Sequence, residues 1–406
     1  MDTHPPELML LLACSRLEPG SCVEEILRTA PGDIDWTVLV MTALDHGVTG
    51  LLCNSLLTLP DDMVPLEIID AAKSYLHQAE SSNQALADQL SGALDILHAA
   101  GIETIPFKGP SLALSAYHRL ALRTFRDLDF LIREKDIELC LSVLRTIGYS
   151  HDWNLTPRQW QEFVHYAGEE IVFGEGVPCE PHWAFAPHTL AIRIDYDKIW
   201  QLSIRKSFNG RTILSLAPED ELIVLCVHGS KEKWSKLKWV ADVAEFVRSH
   251  PALDWSGLFS RAEAQGIARM LRLGLSLAKQ LLDAPIPLAI SPWLDADRVG
   301  TEMSQQLSRS FFEHRTETEQ SIYEISRFHW AMRERFSDRW RYFYRTVTQP
   351  RVQHFGGIRL PDSLFFLYVP YKLVHDYIAL PIWKRAKPFL PWLKAQAADP
   401  DHRNAS

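Results

Sequence analysis

Two aspartates flank a single leucine in Asp127-Leu128-Asp129, followed by the apolar run Phe130-Leu131-Ile132. The pattern reads as a strand. Alternate side chains of a strand share a face, so both carboxylates point the same way. Like charges so placed repel each other unless a cation sits between them. Mg²⁺ prefers oxygen ligands and commonly takes one or two carboxylates together with substrate phosphates. Upstream lies Lys108-Gly109-Pro110-Ser111. Gly109 lets the backbone bend tightly or approach a ligand closely, and Pro110 suits the first position of a helix. The free N–H groups of that helix end favour an anion such as phosphate, and Lys108 adds a positive charge. The chemistry these residues fit is metal-assisted handling of phosphate.

The elements that must position them follow from the flanking sequence. Ile105 to Ile132 reads as a strand end, a turn, a helix and a second strand. Glu170–Phe173 and Val177–Trp183 read as strands flanking Gly174-Glu175-Gly176, a hairpin able to set Glu180 beside the two aspartates. Pro178 and Pro181 point to an edge position or a bulge. His182 shares the face of Glu180 by spacing. Helical spacing marks Val23–Thr29, Trp36–Gly47, Leu66–His98, Asp136–Ile147, Pro157–Tyr166, Leu222–His228, Leu237–Arg248 and Leu258–Leu282, with Gly101 as the stop after the long one. The reading divides the chain into a helical region (1–98), an α/β core (99–215), a helical domain completing the site (216–300) and an aromatic-rich helical region with a loose tail (301–406).

The ordered set of Lys108-Gly109, Arg123, Asp127-Leu128-Asp129, Glu180-Pro181-His182-Trp183, Pro218 to Lys231 (PEDELIVLCVHGSK) and the D-V-A-E-F run ending at Phe246 resembles an uncharacterised bacterial branch of the nucleotidyltransferase superfamily that includes DNA polymerase beta. The resemblance covers roughly residues 100 to 250. It implies an α/β (α+β) fold: a small mixed-sheet palm core between helical flanks. It implies transfer of an NMP unit from an NTP such as ATP to a hydroxyl or similar acceptor, with pyrophosphate release and Mg²⁺ or Mn²⁺ as cofactor. Asp127 and Asp129 would bridge the metal ions, with Glu180 as the third carboxylate; Asp195 and Asp197, a second D-x-D, compete for that place. Lys108, Gly109 and Ser111 would hold phosphates, with Arg123 and Lys231 reaching the same group and His182, His228 and Lys238 as further candidates. Arg123 or Arg126 could instead pair with an aspartate to hold the strand, a role that suits Arg126 better. Trp234 and Trp239 read as core rather than as a base-stacking platform. The sequence departs from the wider superfamily at Pro110, which removes one N–H donor, and in a longer helix before the D-x-D strand. Both leave room for a sugar-nucleotide donor or for a non-catalytic nucleotide-binding or scaffold protein. The resemblance places relatives beside natural-product, peptide or polysaccharide pathways, with a small molecule, peptide or protein as acceptor.

Whole-chain composition agrees with a globular protein: 406 residues, 47% hydrophobic and 23% charged. A net charge of −9 argues against extended binding to nucleic acid. The six cysteines form no C-x-x-C pair, so zinc and disulfide frameworks are poor readings and reduced thiols in a cytoplasmic setting are expected. No secretory signal or transmembrane helix is expected. The segment Leu360–Lys394 mixes aromatics, prolines and lysines. It is expected to pack on the protein's own body, with membrane or partner contact as the alternative, because Pro370, Pro381, Pro388 and Pro391 break a continuous amphipathic helix.

Overall fold

The computed structural model describes residues 5–29, 34–60, 62–151, 154–313 and 322–386. Its centre is a small mixed sheet of β1 (Ile105–Pro106), β2 (Leu128–Leu131) and β3 (Cys179–His182). β1 runs antiparallel to β2 and pairs Ile105 with Leu131. β2 and β3 are parallel, with Asp129 opposite Glu180 and Leu131 opposite His182. Isolated bridges Val172–Cys179 and Glu169–His182 add the other arm of the expected hairpin. All four residues of β2 are buried, so this strand reads as a continuous hydrophobic run broken only by Asp129. The fold is thus the α/β architecture with helical flanks inferred from sequence.

The segment between β1 and β2 differs from the expected long helix. A helix spans Gly109–Ala116, and a short 3₁₀ turn, Leu120–Leu122, follows it. His118 takes a positive φ of 58° between them, which closes the first helix. The Nδ2 of buried Asn83 donates to the carbonyls of Leu120 (2.7 Å) and Arg123 (3.2 Å). This anchors the turn that aims the chain into β2.

Asn83 belongs to a 34-residue helix, Leu66–Ala99. Its first half packs Ala72 and Leu76 into a core shared by the N-terminal helices and the helices Pro218–Lys231, Leu237–Ser249 and Ala268–Leu282. Its second half packs Ala87, Leu90, Leu94 and Leu97 against the sheet. Gly101, with φ of 81°, lets the chain turn out of the helix toward β1.

Three further elements lacked a sequence reading: the helix Thr49–Leu56, the helix Tyr196–Leu202, and the hairpin of β4 (Ile204–Phe208) and β5 (Arg211–Ser215). The hairpin turns at Asn209-Gly210, both with positive φ. This is the Asn-Gly signal of a two-residue turn matched to strand twist. The six cysteines carry free thiols. Among the described residues no helix is long and apolar enough to cross a membrane.

Trp234 is core, as read from the sequence. Its indole is 1% exposed and fills the space left by two glycines, Gly229 and Gly274, on separate helices. A Cβ on Gly274 would lie 2.7 Å from Cys226 Sγ and 2.9 Å from the Trp234 ring. Gly274→Ala is therefore expected to destabilise by about 1–3 kcal/mol through overpacking. Gly92→Ala is the matched control: no atom lies within 4 Å of its added Cβ, and removing a helical glycine gains about 0.5–1 kcal/mol. Opposite shifts of the denaturation midpoint would establish the clamp.

The C-terminal helices correct one expectation. Helical backbone continues from Tyr368 through Ala386, as Tyr368–Val374, a π-turn at His375–Ala379 and Leu380–Ala386. Pro370 sits in the first turn, where an N–H has no partner to lose. Pro381 cannot donate to the preceding turn, and the wider π-turn lies directly before it, where such a bulge relieves the missing bond. Pro388 and Pro391 lie outside the described residues, as does the tail.

Candidate functional site

The parallel register of β2 and β3 puts Asp129 and Glu180 side by side. Asp127 lies just before β2, one alternation upstream of Asp129, and His182 lies two residues beyond Glu180 on its strand. Asp129 is 2% exposed. Its Oδ1 accepts from Lys108 Nζ at 3.1 Å and meets His182 Nε2 at 2.8 Å. Burial alone would raise the Asp129 carboxyl, yet the ammonium and the imidazole hold it far below the usual carboxylate range.

His182 extends this contact outward. Its Nδ1 lies 3.1 Å from Glu169 Oε2, and Glu169 in turn accepts from Lys231 Nζ at 3.0 Å. Burial would lower the imidazole, but a carboxylate beside each ring nitrogen pushes it up to about 8. Lys231, Glu169, His182, Asp129 and Lys108 therefore form one line of alternating charge through the sheet edge. Asp129, Glu180 and His182 also place one ligand atom each within 4.8 Å of one another, a donor set able to hold a metal ion.

Asp127 and Glu180 behave oppositely to Asp129. Burial, and then the repulsion of Asp129, raises the Asp127 carboxyl. The same two causes, with Asp127 added, push Glu180 up to about 7. These two groups carry negative charge that the protein's own cations do not fully neutralise.

Further cations gather around the pair. Lys238 is lowered by burial and then by Arg123, and it is near enough to Asp127 to be felt there. His228 is driven well below its ordinary value by burial, then by Lys108 and Lys231. Its ring meets Trp239 edge-on at 5.8 Å.

The turn that presents Lys108 is conformationally demanding. Lys108 adopts φ 55° and ψ −147°, a region otherwise almost reserved for glycine, at a cost of about 1–3 kcal/mol. Gly109 follows with φ 42°, which needs no side chain. Ser111 lies in the first turn of the Gly109–Ala116 helix.

Arg123 sits elsewhere in the design. It is 6% exposed, and its guanidinium forks onto Asp242, Nε to Oδ1 at 2.8 Å and Nη2 to Oδ2 at 3.0 Å. Tyr117 donates its hydroxyl to the same Oδ1 at 2.7 Å. Arg123 Nη1 also reaches the Gly109 carbonyl at 3.5 Å. The guanidinium expected at phosphate thus ties the turn to the helix Leu237–Ser249. Lys231, expected at the same group, is paired with Glu169. Arg126 is exposed.

Asp195 and Asp197, the alternative carboxylates, are not on a strand. Asp195 caps the helix Tyr196–Leu202 by accepting from the Lys198 amide at 3.0 Å, and both side chains are exposed. Sequence reasoning missed Glu169, Asp242 and Tyr117. Asp242 opens the D-V-A-E-F run already noted for its similarity, which was the available signal; Glu169 stands at the Gly168 hairpin entrance without any motif.

Neither a curated protein nor a solved structure matches the chain. A family model described as an uncharacterised nucleotidyltransferase matches residues 32–283. The match takes in the aspartates, the Glu180 strand and the Arg123–Asp242 pair, and it extends beyond residues 100–250 into both helical flanks. With more than half of its length matched, the chain belongs to this uncharacterised nucleotidyltransferase family.

Proposed function

We propose that the protein is a Mg²⁺- or Mn²⁺-dependent nucleotidyltransferase that moves an NMP unit from an NTP to a hydroxyl on a small molecule, peptide or protein. Family membership supports the transferase class. The observation that carries the finer reading is the convergence of Asp127, Asp129 and Glu180 beside a lysine-bearing helix start. The donor set fits a divalent ion: oxygen ligands dominate, and two of the carboxylates are raised by burial and by neighbouring carboxylates, a penalty that a cation would relieve. Asp129 meets Lys108 and His182 through Oδ1, and Asp129, Asp127 and Glu180 would together hold the ion. When bound, such an ion stabilises charge building on the phosphate oxygens.

The chain's own groups have distinct tasks in this reading. Lys108 and the amides of the Gly109–Ala116 helix bind the triphosphate, with the Ser111 hydroxyl beside them and Lys238 and His228 at the flank. Glu180, beside Asp129 at the strand pair, is the carboxylate that would accept the acceptor's hydroxyl proton. The bond formed joins the acceptor oxygen to the α-phosphorus, and the bond broken releases pyrophosphate. Glu169 and Lys231 are positioning residues that act through His182, and Arg123 and Asp242 position the turn.

Calorimetric titration of each NTP, with and without Mg²⁺, tests the proposal. Binding is expected only with the metal, and the Asp127→Ala/Asp129→Ala double variant is expected to show none. Absence of heat with every NTP and metal would refute it. Heat with UDP-sugars instead would move the donor to sugar nucleotides. Metal-dependent binding that never leads to pyrophosphate release, across acceptor classes, would favour a non-catalytic nucleotide-binding subunit.

A further inference from the structure

We propose that the Tyr368–Ala386 helix docks the protein on an anionic lipid surface. From residue 371 to 383 every exposed position is apolar or aromatic, and Leu373, Val374, Tyr377, Ile378, Ile382 and Trp383 are its large members. They recur as the pairs Leu373-Val374, Tyr377-Ile378 and Ile382-Trp383, four and then five residues apart across the wider π-turn, about one turn each time. The opposite side faces the protein: Tyr368 and Lys372 are buried, and Lys372 Nζ lies 2.5 Å from Asp376. Ile378 and Ile382 are more than half exposed, as is Phe366 in the preceding turn. A soluble monomer seldom presents such a stripe without something to cover it.

Charge identifies the occupant. Residues 333–386 hold ten Lys or Arg and four Asp or Glu, in a chain whose net charge is −9. Lys384 and Arg385 follow the stripe directly in sequence. An apolar face with Tyr and Trp on it and basic residues at its end is the pattern of a helix lying in the membrane interface. Anionic lipid attracts such a basic segment, whereas the rest of this chain would be repelled. Among the described residues no helix can span a bilayer, so the contact is with the surface. The inference is independent of the nucleotide site.

The test is sedimentation of the full chain with vesicles of phosphatidylcholine alone and of phosphatidylcholine containing about one third phosphatidylglycerol. The native chain is expected to pellet with the mixed vesicles, at least about tenfold more than with the neutral ones, and to be released by salt. Ile378→Glu/Ile382→Glu is expected to abolish pelleting while leaving the circular dichroism spectrum and NTP titration unchanged. Lys384→Glu/Arg385→Glu is expected to remove only the preference for anionic lipid. The proposal fails if the native chain stays in the supernatant, or if the isoleucine variant pellets equally. It also fails if that variant instead splits a native dimer on size exclusion, which would make the stripe a contact between copies.

Discussion

Asp127→Asn is expected to raise the melting temperature of the metal-free protein, and Asp129→Asn to lower it, although each should remove Mg²⁺-dependent NTP binding. The two aspartates are two residues apart, but their surroundings differ in sign. Asp127 is half-buried, and burial and Asp129 both disfavour its charge. A neutral isostere relieves that repulsion. Asp129 is the shared partner of Lys108 and His182 inside the protein. Without its charge two buried cations lose the carboxylate they share, which costs about 3 kcal/mol. Thermal melts in EDTA measure the stability effect and NTP calorimetry the functional one. Equal shifts of both variants in the same direction would contradict the charge assignment. Glu180→Gln should follow Asp127→Asn, because it too stands in like-charge surroundings.

The second large effect is expected at Arg123, and it is structural. Arg123→Met leaves Asp242 buried with only the Tyr117 hydroxyl against it, and breaking such a pair costs about 3–5 kcal/mol. The double variant Arg123→Met/Asp242→Leu leaves no uncompensated charge and should lose much less than the sum of the single changes. Chemical denaturation of the four proteins measures this coupling. If the folded double variant still binds NTP with an affinity near native, Arg123 is a positioning residue; a loss of binding with intact folding would restore it to the phosphates.

Arg123 also shows where reading the sequence reaches its limit. Its residue type and its place before the D-x-D strand fit a phosphate ligand, and nothing local reveals that its partner waits more than a hundred residues downstream. Lys231 is similar: its helix was legible, but Glu169, which claims its ammonium, lies in an unmarked hairpin. Local rules served better where periodicity is strong. The buried β2 run, the proline-bearing strand of Glu180 and the helices at Leu66 and Pro218 follow directly from spacing and capping. The short hairpin at Asn209-Gly210 carries its signal in two residues only. Pro370 and Pro381 misled because proline is tolerated wherever the lost N–H has no partner or the turn widens.

The helix Leu66–Ala99 has a wider consequence. One rigid rod supplies side chains to the helical core with its first half and to the sheet with its second. Melting of either half is expected to loosen the other, so the helical flank and the sheet are expected to unfold together. Loss of the N-terminal helices would be felt as disorder in β2, and nucleotide held at the aspartates would in turn protect helices far from it against proteolysis.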